Sequence, residues 1–378
     1  MAEILHRSER MRILGLMTGS SADGLDLCLV EFTGHDTKPD FKVCYTGEIK
    51  YPSNFSDTFR NPLAMSETDI RQFDALLGKW FADEIQTLDL KFDSIASHGQ
   101  TIKHNPPHFT LQIGDPGFMA DRFKVPVIYD FRSADIELGG QGAPLIPVVD
   151  RFLLQEAESD VLSLNIGGIS NISVIPSTNS TKDILAWDTG PGNTLIDKAV
   201  RLYSNNKLNF DPDGSLAAKG NINSSLLNLL LSHEFYRAKP PRSAGQEQFG
   251  HAYFNQVLNQ FKPTSEKEYR DFIKTFTVLT AMTITDSIKH LREKYSPTTL
   301  YVSGGGTHNK TLMSELSMLL PDLKLSPVDH KGVNTDNKEA FGFAYLGYCY
   351  LNNIPGNIPS VTGAHEELIL GKSYSLDT

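Results

Sequence analysis

Cysteine is scarce in this chain of 378 residues: only Cys28, Cys44 and Cys349 occur. An odd number of cysteines so widely spaced builds neither a disulfide framework nor a zinc site, so a reducing compartment, the cytoplasm, is expected. Long apolar runs are also missing. None approaches the roughly 18 uninterrupted residues of a membrane span, and the opening MAEILHRSERMR mixes both charge signs without an apolar core. Neither a targeting segment nor a membrane partner is expected. No lysine or arginine run relieves the net charge of -10 left by 45 acidic and 35 basic residues. Such a balance repels phosphate polymers, so nucleic acid is not an expected partner.

The familiar signatures of phosphate binding are absent too. There is no G-x-x-x-x-G-K-[ST], because Asn309 stands where a glycine would precede Lys310, and no G-x-G-x-x-G. Without G-x-S-x-G or H-E-x-x-H, esterase and zinc protease readings lose their footing. What the chain does have is 29 glycines clustered at the ends of apolar, strand-like runs. Residues 13–32 and 162–175 each read as a β-hairpin with small polar residues at the turn. Their repetition after about 150 residues predicts two related halves. Residues 184–203 read as a strand ending at Asp188, a Gly/Pro turn and a helix opened by a Thr194/Asp197 capping box. Residues 299–320 read as strand, triple-glycine turn and amphipathic helix. Strand-to-helix turns of this kind aim backbone N–H groups at an anion.

Apolar stripes at helical spacing run through Ile70, Phe73, Leu77, Trp80, Phe81, Ile85 and Leu88, and through Phe272, Phe276, Leu279, Ile288 and Leu291. Both predict core-facing helices. Strands alternating with helices predict an α/β architecture, and glycine-rich residues 130–142 break the apolar pattern at a candidate domain change.

Two hairpin turns and a GGG turn can together hold a polyphosphate through backbone donors, with Ser20 and Ser21 adding hydroxyls and Asp23 or Asp26 available to Mg2+. For Asp188 two readings stand side by side. It accepts hydrogen bonds from the turn that follows, or it serves as general base beside a bound nucleotide and sugar. Residues 97–147 gather His98, Gln100, Thr101, Asp115, Arg132, Asp135 and Gln141, side chains of the type that bind sugars. Buried structural histidine and surface salt-bridge arginine are the competing readings of His98 and Arg132.

Several long motifs then resemble those of the anhydro-N-acetylmuramic acid kinase family, within the sugar kinase, heat-shock 70 and actin superfamily. They are residues 15–26 (GLMTGSSADGLD), 97–101 (SHGQT), 112–116 (QIGDP), 130–144, 165–171 (NIGGISN), 188–193 (DTGPGN), Lys338 with Glu339, and 355–364. Two stretches depart from the family pattern. Ser-Gly-Thr-Ser becomes Thr18, Gly19, Ser20, Ser21, and a family S-T-G-R-E appears as Ser243, Ala244, Gly245, Gln246, Glu247, losing a cation.

The resemblance implies two RNase H-like domains of the sugar kinase/actin type around an interdomain cleft, residues 1–135 plus 340–378 forming one and 136–339 the other. It implies ATP held by Gly19, Ser20, Ser21, Asp23, Gly24, Asp26, Gly167, Gly168, Asn171, Gly304, Gly305 and Gly306, and Mg2+ met by Asp23 and Glu339. Sugar would be bound by His98, Gln100, Thr101, Asp115, Arg132, Asp135 and Gln141. Asp188 would activate water to open the 1,6-anhydro bond while O6 takes the γ-phosphoryl group, giving N-acetylmuramic acid 6-phosphate and ADP in cell-wall sugar recycling. A homodimer is also implied. Levoglucosan kinase, similar in motif and chemistry, and a non-enzymatic ATP-switched module are the alternatives.

Overall fold

A computed structural model describes residues 10–19, 24–52, 55, 58–59, 65–240 and 242–375. The chain divides into two compact units, one of Met1–Leu153, Asp329–Val333 and Asn337–Thr378, the other of Leu154–Val328 and Asn334–Asp336.

In unit 1, β1 (Arg10–Met17) and β2 (Gly24–Thr33) pair antiparallel as the first expected hairpin, and β3 (Asp40–Lys50) adds to β2. The strand β4 (Ser94–Ser97) then joins β1 in parallel. A small hairpin of β5 (Gln100–Asn105) and β6 (Phe109–Ile113) follows, and β7 (Val127–Tyr129) runs parallel to β4. Leu14, Leu16, Leu25 and Leu27 carry the core against Leu77, Phe81 and Ile85 of helix Glu67–Gln86. That helix starts at a Ser66/Asp69 capping box and stops at Gln86, so Leu88 of the predicted stripe lies past its end yet still packs on the core. Fully burying one such Leu or Phe contributes about 1.5–3 kcal/mol. Helix Lys338–Leu351 closes the sheet from β1. A Cβ at Gly15 would come within 2.1 Å of the Ala340 carbonyl oxygen, so only glycine lets the helix approach this strand.

Unit 2 repeats the plan. The second hairpin is β8 (Asp160–Ile166) with β9 (Ile169–Ile175); β10 (Leu185–Pro191) pairs antiparallel with β9. Then β11 (Pro297–Ser303) joins β8 in parallel and β12 (Lys324–Pro327) joins β11 in parallel. The order β3-β2-β1-β4-β7 in one unit and β10-β9-β8-β11-β12 in the other is the same, with the same senses of pairing. This duplication gives the two related halves that the hairpin repeat predicted, in the two-fold RNase H-like α/β arrangement that the family resemblance implied. Helix Glu266–Arg292, started by a Ser265/Glu268 capping box, buries Phe272, Phe276, Leu279, Ile288 and Leu291 as predicted. Among the described residues no helix is long and apolar enough to cross a membrane.

Candidate active site

Unit 2 draws its glycine turns together. The carbonyl of Gly167 accepts from Asn193 N–H at 2.8 Å, and that of Gly168 accepts from Gly192 and Thr194 at 2.9 and 3.1 Å. Asn193 Nδ2 donates to the Ile166 carbonyl at 3.1 Å. The third turn meets the same strand end: Gly304 has φ +83°, and a Cβ there would lie 2.5 Å from Asn165 Oδ1 and 2.8 Å from the Ile166 carbonyl oxygen. The β8–β9 turn, the turn after β10 and the turn after β11 thus converge where β8 and β11 end, the edge at which open α/β sheets bind ligands.

Two local expectations are corrected here. Helix Thr194–Ser204 has Asn193 as its N-cap and no side-chain cap bond. There is no Thr194/Asp197 capping box because the carbonyl of Gly168, from the neighbouring hairpin, already takes the Thr194 N–H. After β11 a 3-10 turn, Gly305–His308, intervenes before helix Lys310–Leu319, which is capped by Asn309 through Leu312 N–H.

Asp188 likewise does not end its strand. β10 runs on to Pro191 through a bulge between Asp188 and Gly190. Bulges of this kind re-aim a side chain beside a functional centre. In the ladders Asp188 faces Asn171, Asn171 faces Asn165, and Asn165 faces Ser303. Directly opposed residues share a sheet face, so one polar row crosses four strands from the carboxylate to the triple-glycine turn. Burial foremost, helped by nearby Glu247, pushes the Asp188 carboxyl up to about 6, against the lowering pull of the Ala244 N–H and of Arg242. The Ala244 N–H donates to Asp188 Oδ2 at 2.7 Å. A carboxylate poised near neutrality with one oxygen fixed has the properties of a general base.

The remaining candidates lie in unit 1. His98 is buried, and its Nε2 accepts from Arg132 Nε and from a terminal guanidinium nitrogen at 3.1 and 3.0 Å. Burial and then Arg132 hold this imidazole well below its usual range, so it is neutral. Arg132 also donates to the Gly142 carbonyl at 2.7 Å and lies near Glu339, whose carboxyl is raised by burial. His98, Arg132 and Glu339 therefore form one group. Gln100 donates to the Gly19 carbonyl at 3.4 Å and accepts from Tyr51, while Thr101 accepts from Gln112 at 3.2 Å. Asp115 caps helix Pro116–Phe123 through Gly117 N–H. Asp135 is buried and holds a turn: Asn357 and Thr362 donate to one oxygen and Gly142 N–H to the other. Gln141 is exposed, its N–H donating to the Thr362 carbonyl. A pocket of about 170 Å³ opens beside His98, Gln112, Tyr129, Asp130 and Ser133, and of the sugar-binding set only His98 lines it.

Of the first turn, Gly19 is placed before it, while Gly24 opens β2 and Asp26 lies within it; Ser20, Ser21 and Asp23 lie outside the described residues. Among the described residues no group of three or more His, Cys, Asp or Glu side chains could hold a metal. Of the two carboxylates expected at Mg2+, Asp23 is among those outside the described residues, and Glu339 is buried with the cations Lys338 and Arg132 as neighbours. Sequence reasoning missed Arg242 and the Ala244 N–H. Backbone bonds carry that contact, and they leave no mark in side-chain identity.

A sequence model of the family described as anhydro-N-acetylmuramic acid kinase matches residues 11–376. Three curated relatives carry that same name. The one from Caldanaerobacter subterraneus subsp. tengcongensis is 36% identical over 392 residues, covering 98% of each chain. That from Shewanella denitrificans is 38% identical over 373 residues, covering 96% of this chain and 98% of the relative. That from Clostridioides difficile is 36% identical over 378 residues, covering 96% and 97%.

Proposed function

This chain belongs to the anhydro-N-acetylmuramic acid kinase family, and from that premise we propose how its residues perform the reaction. The enzyme is a phosphotransferase with a sugar hydroxyl as acceptor. It uses ATP to open 1,6-anhydro-N-acetylmuramic acid hydrolytically and to phosphorylate O6, in recycling of cell-wall sugar in the cytoplasm. Water attacks C1, its proton passes to Asp188, the C1–O6 bond breaks, and O6 takes the γ-phosphoryl group as ADP leaves. N-acetylmuramic acid 6-phosphate is the product.

The observation that carries this reading is Asp188 itself: raised to about 6 by burial, and with Oδ2 held by Ala244 at 2.7 Å. Such a group is largely ionised at neutral pH and still basic enough to accept a proton. The phosphates suit the convergent turns at Gly167, Gly168, Gly304, Gly305 and Gly306, whose backbone donors act in place of a lysine. Asn171, opposite Asp188, suits an orienting role in the same row. For the sugar we propose Arg132, oriented by neutral His98, as the partner of its lactyl carboxylate.

The test is ADP release with three sugars: the anhydro-muramic substrate, its N-acetylglucosamine counterpart and levoglucosan. Release driven by the first is expected. Release driven only by levoglucosan would overturn the substrate, and release indifferent to sugar would favour an ATP-switched module.

A further inference from the structure

The strand that carries Asp188 is the edge of its sheet, and the edge is covered by a short strap. The carbonyl of Arg242 accepts from Asp188 N–H at 2.9 Å, and Arg242 Nε donates back to the Asp188 carbonyl at a long 3.4 Å. One terminal nitrogen of the same guanidinium donates to the carbonyls of Phe235, Tyr236 and Ala238 at 3.3, 3.3 and 3.0 Å. The guanidinium carbon sits 4.6 Å from the Phe235 ring centroid and 5.8 Å from that of Tyr236. Two residues further on, the Ala244 N–H meets Asp188 Oδ2.

We propose that Arg242 is the positioning residue for Asp188: it pins the 235–238 turn to the β10 bulge, which brings the Ala244 N–H to Oδ2 and leaves Oδ1 as the proton-accepting oxygen. This inference rests on the reading of Asp188 as general base. A planar fork with fixed donors can bridge a turn and a strand at once, whereas an ammonium on a flexible stem cannot hold that geometry. Alanine at position 244, where the family pattern has threonine, does not disturb the arrangement because the bond to Asp188 comes from the backbone. Asp188 also faces Glu247, and Arg242 faces Asp286 and Tyr236, so these are the charged and titratable groups against which a pH shift must be read.

The experiment compares Arg242→Gln, Arg242→Lys and Asp188→Asn for kcat, KM for ATP, the pH profile and thermal midpoint. Arg242→Gln should lower kcat on the order of tenfold to a hundredfold, as expected for a misplaced catalytic group, with KM for ATP unchanged. Its acid limb should move to higher pH, because the cation and the Ala244 bond both favour the ionised carboxylate. Arg242→Lys keeps the charge without the fork, so kcat should remain low while its limb moves to higher pH by less than that of Arg242→Gln, through the loss of the Ala244 bond alone. If Arg242→Gln fails to fold, Arg242→Lys decides: low kcat with normal KM for ATP supports the inference, and wild-type kcat overturns it. In folded Arg242→Gln, wild-type kcat or an unmoved acid limb overturns it. Full turnover by Asp188→Asn would instead sink the base reading itself, whereas an inactive Asp188→Asn beside normal Arg242 variants would sink this inference alone.

Discussion

Ala244 donates its N–H to Asp188 Oδ2 at 2.7 Å, so an asparagine at position 188 can keep that bond by turning its amide oxygen toward Ala244. The amide is nearly isosteric but accepts no proton in the working pH range. Asp188→Asn should therefore keep its thermal midpoint and ATP affinity while sugar-dependent ADP release falls about a hundredfold or more. Turnover near wild type would remove Asp188 from the proposed chemistry.

The raised carboxyl gives a second expectation. Asp188 must be ionised to act, so kcat/KM should rise with pH through about 6. Glu247 is a like charge that raises the group, after burial itself. Glu247→Gln should move the acid limb to lower pH, opposite in direction to the shift expected when the Arg242 cation is removed. A pH series of kcat/KM for the two variants checks both signs, and shifts in the same direction would contradict the assignment.

The glycine turn after β11 allows fold and binding to be separated. Gly304 has φ +83° and no room for a Cβ, so Gly304→Ala should cost stability on the order of 1–3 kcal/mol. At Gly305 the nearest atom to an added Cβ is Asn193 Nδ2 at 3.9 Å, which is ordinary contact. Gly305→Ala should therefore melt like wild type yet raise KM for ATP severalfold if this turn receives phosphate. Unchanged KM for ATP in a protein of normal stability would move the phosphate elsewhere.

How much of this was legible in the sequence depended on whether the contact lay in side-chain pattern or in register. The hairpins around Gly19 and Gly167 and the stripe from Phe272 to Leu291 were readable, because alternation and helical spacing report directly which faces are buried. The extension of β10 past Asp188 was not, because a Gly/Pro turn and a bulge share the same residues. Nor was the full row joining Asp188, Asn171, Asn165 and Ser303, whose last step pairs Asn165 with a residue on a strand more than a hundred residues away. The partners of Asp135 were hidden for a related reason: a carboxylate in a Gly-rich segment reads as a ligand, and only the fold brings Asn357 and Thr362 onto it.

The last expectation concerns the path of oxygen. A kinase acting on a free hydroxyl needs no water, but O6 in a 1,6-anhydro sugar is bound to C1 and becomes a phosphoryl acceptor only as that bond breaks. Asp188, with Oδ2 already engaged by Ala244, then has a water near C1 as its proton donor, since O6 carries no proton to give. Turnover in 18O water, quenched before ring-opening exchange, should place one heavy oxygen at C1 and none in the new phosphate ester. Mass spectrometry of the intact product and of the phosphate released from it locates the label. Heavy oxygen in the phosphate would mean that water attacks phosphorus, and an unlabelled C1 would mean that the bridge opens without water; either result would take the proposed role from Asp188.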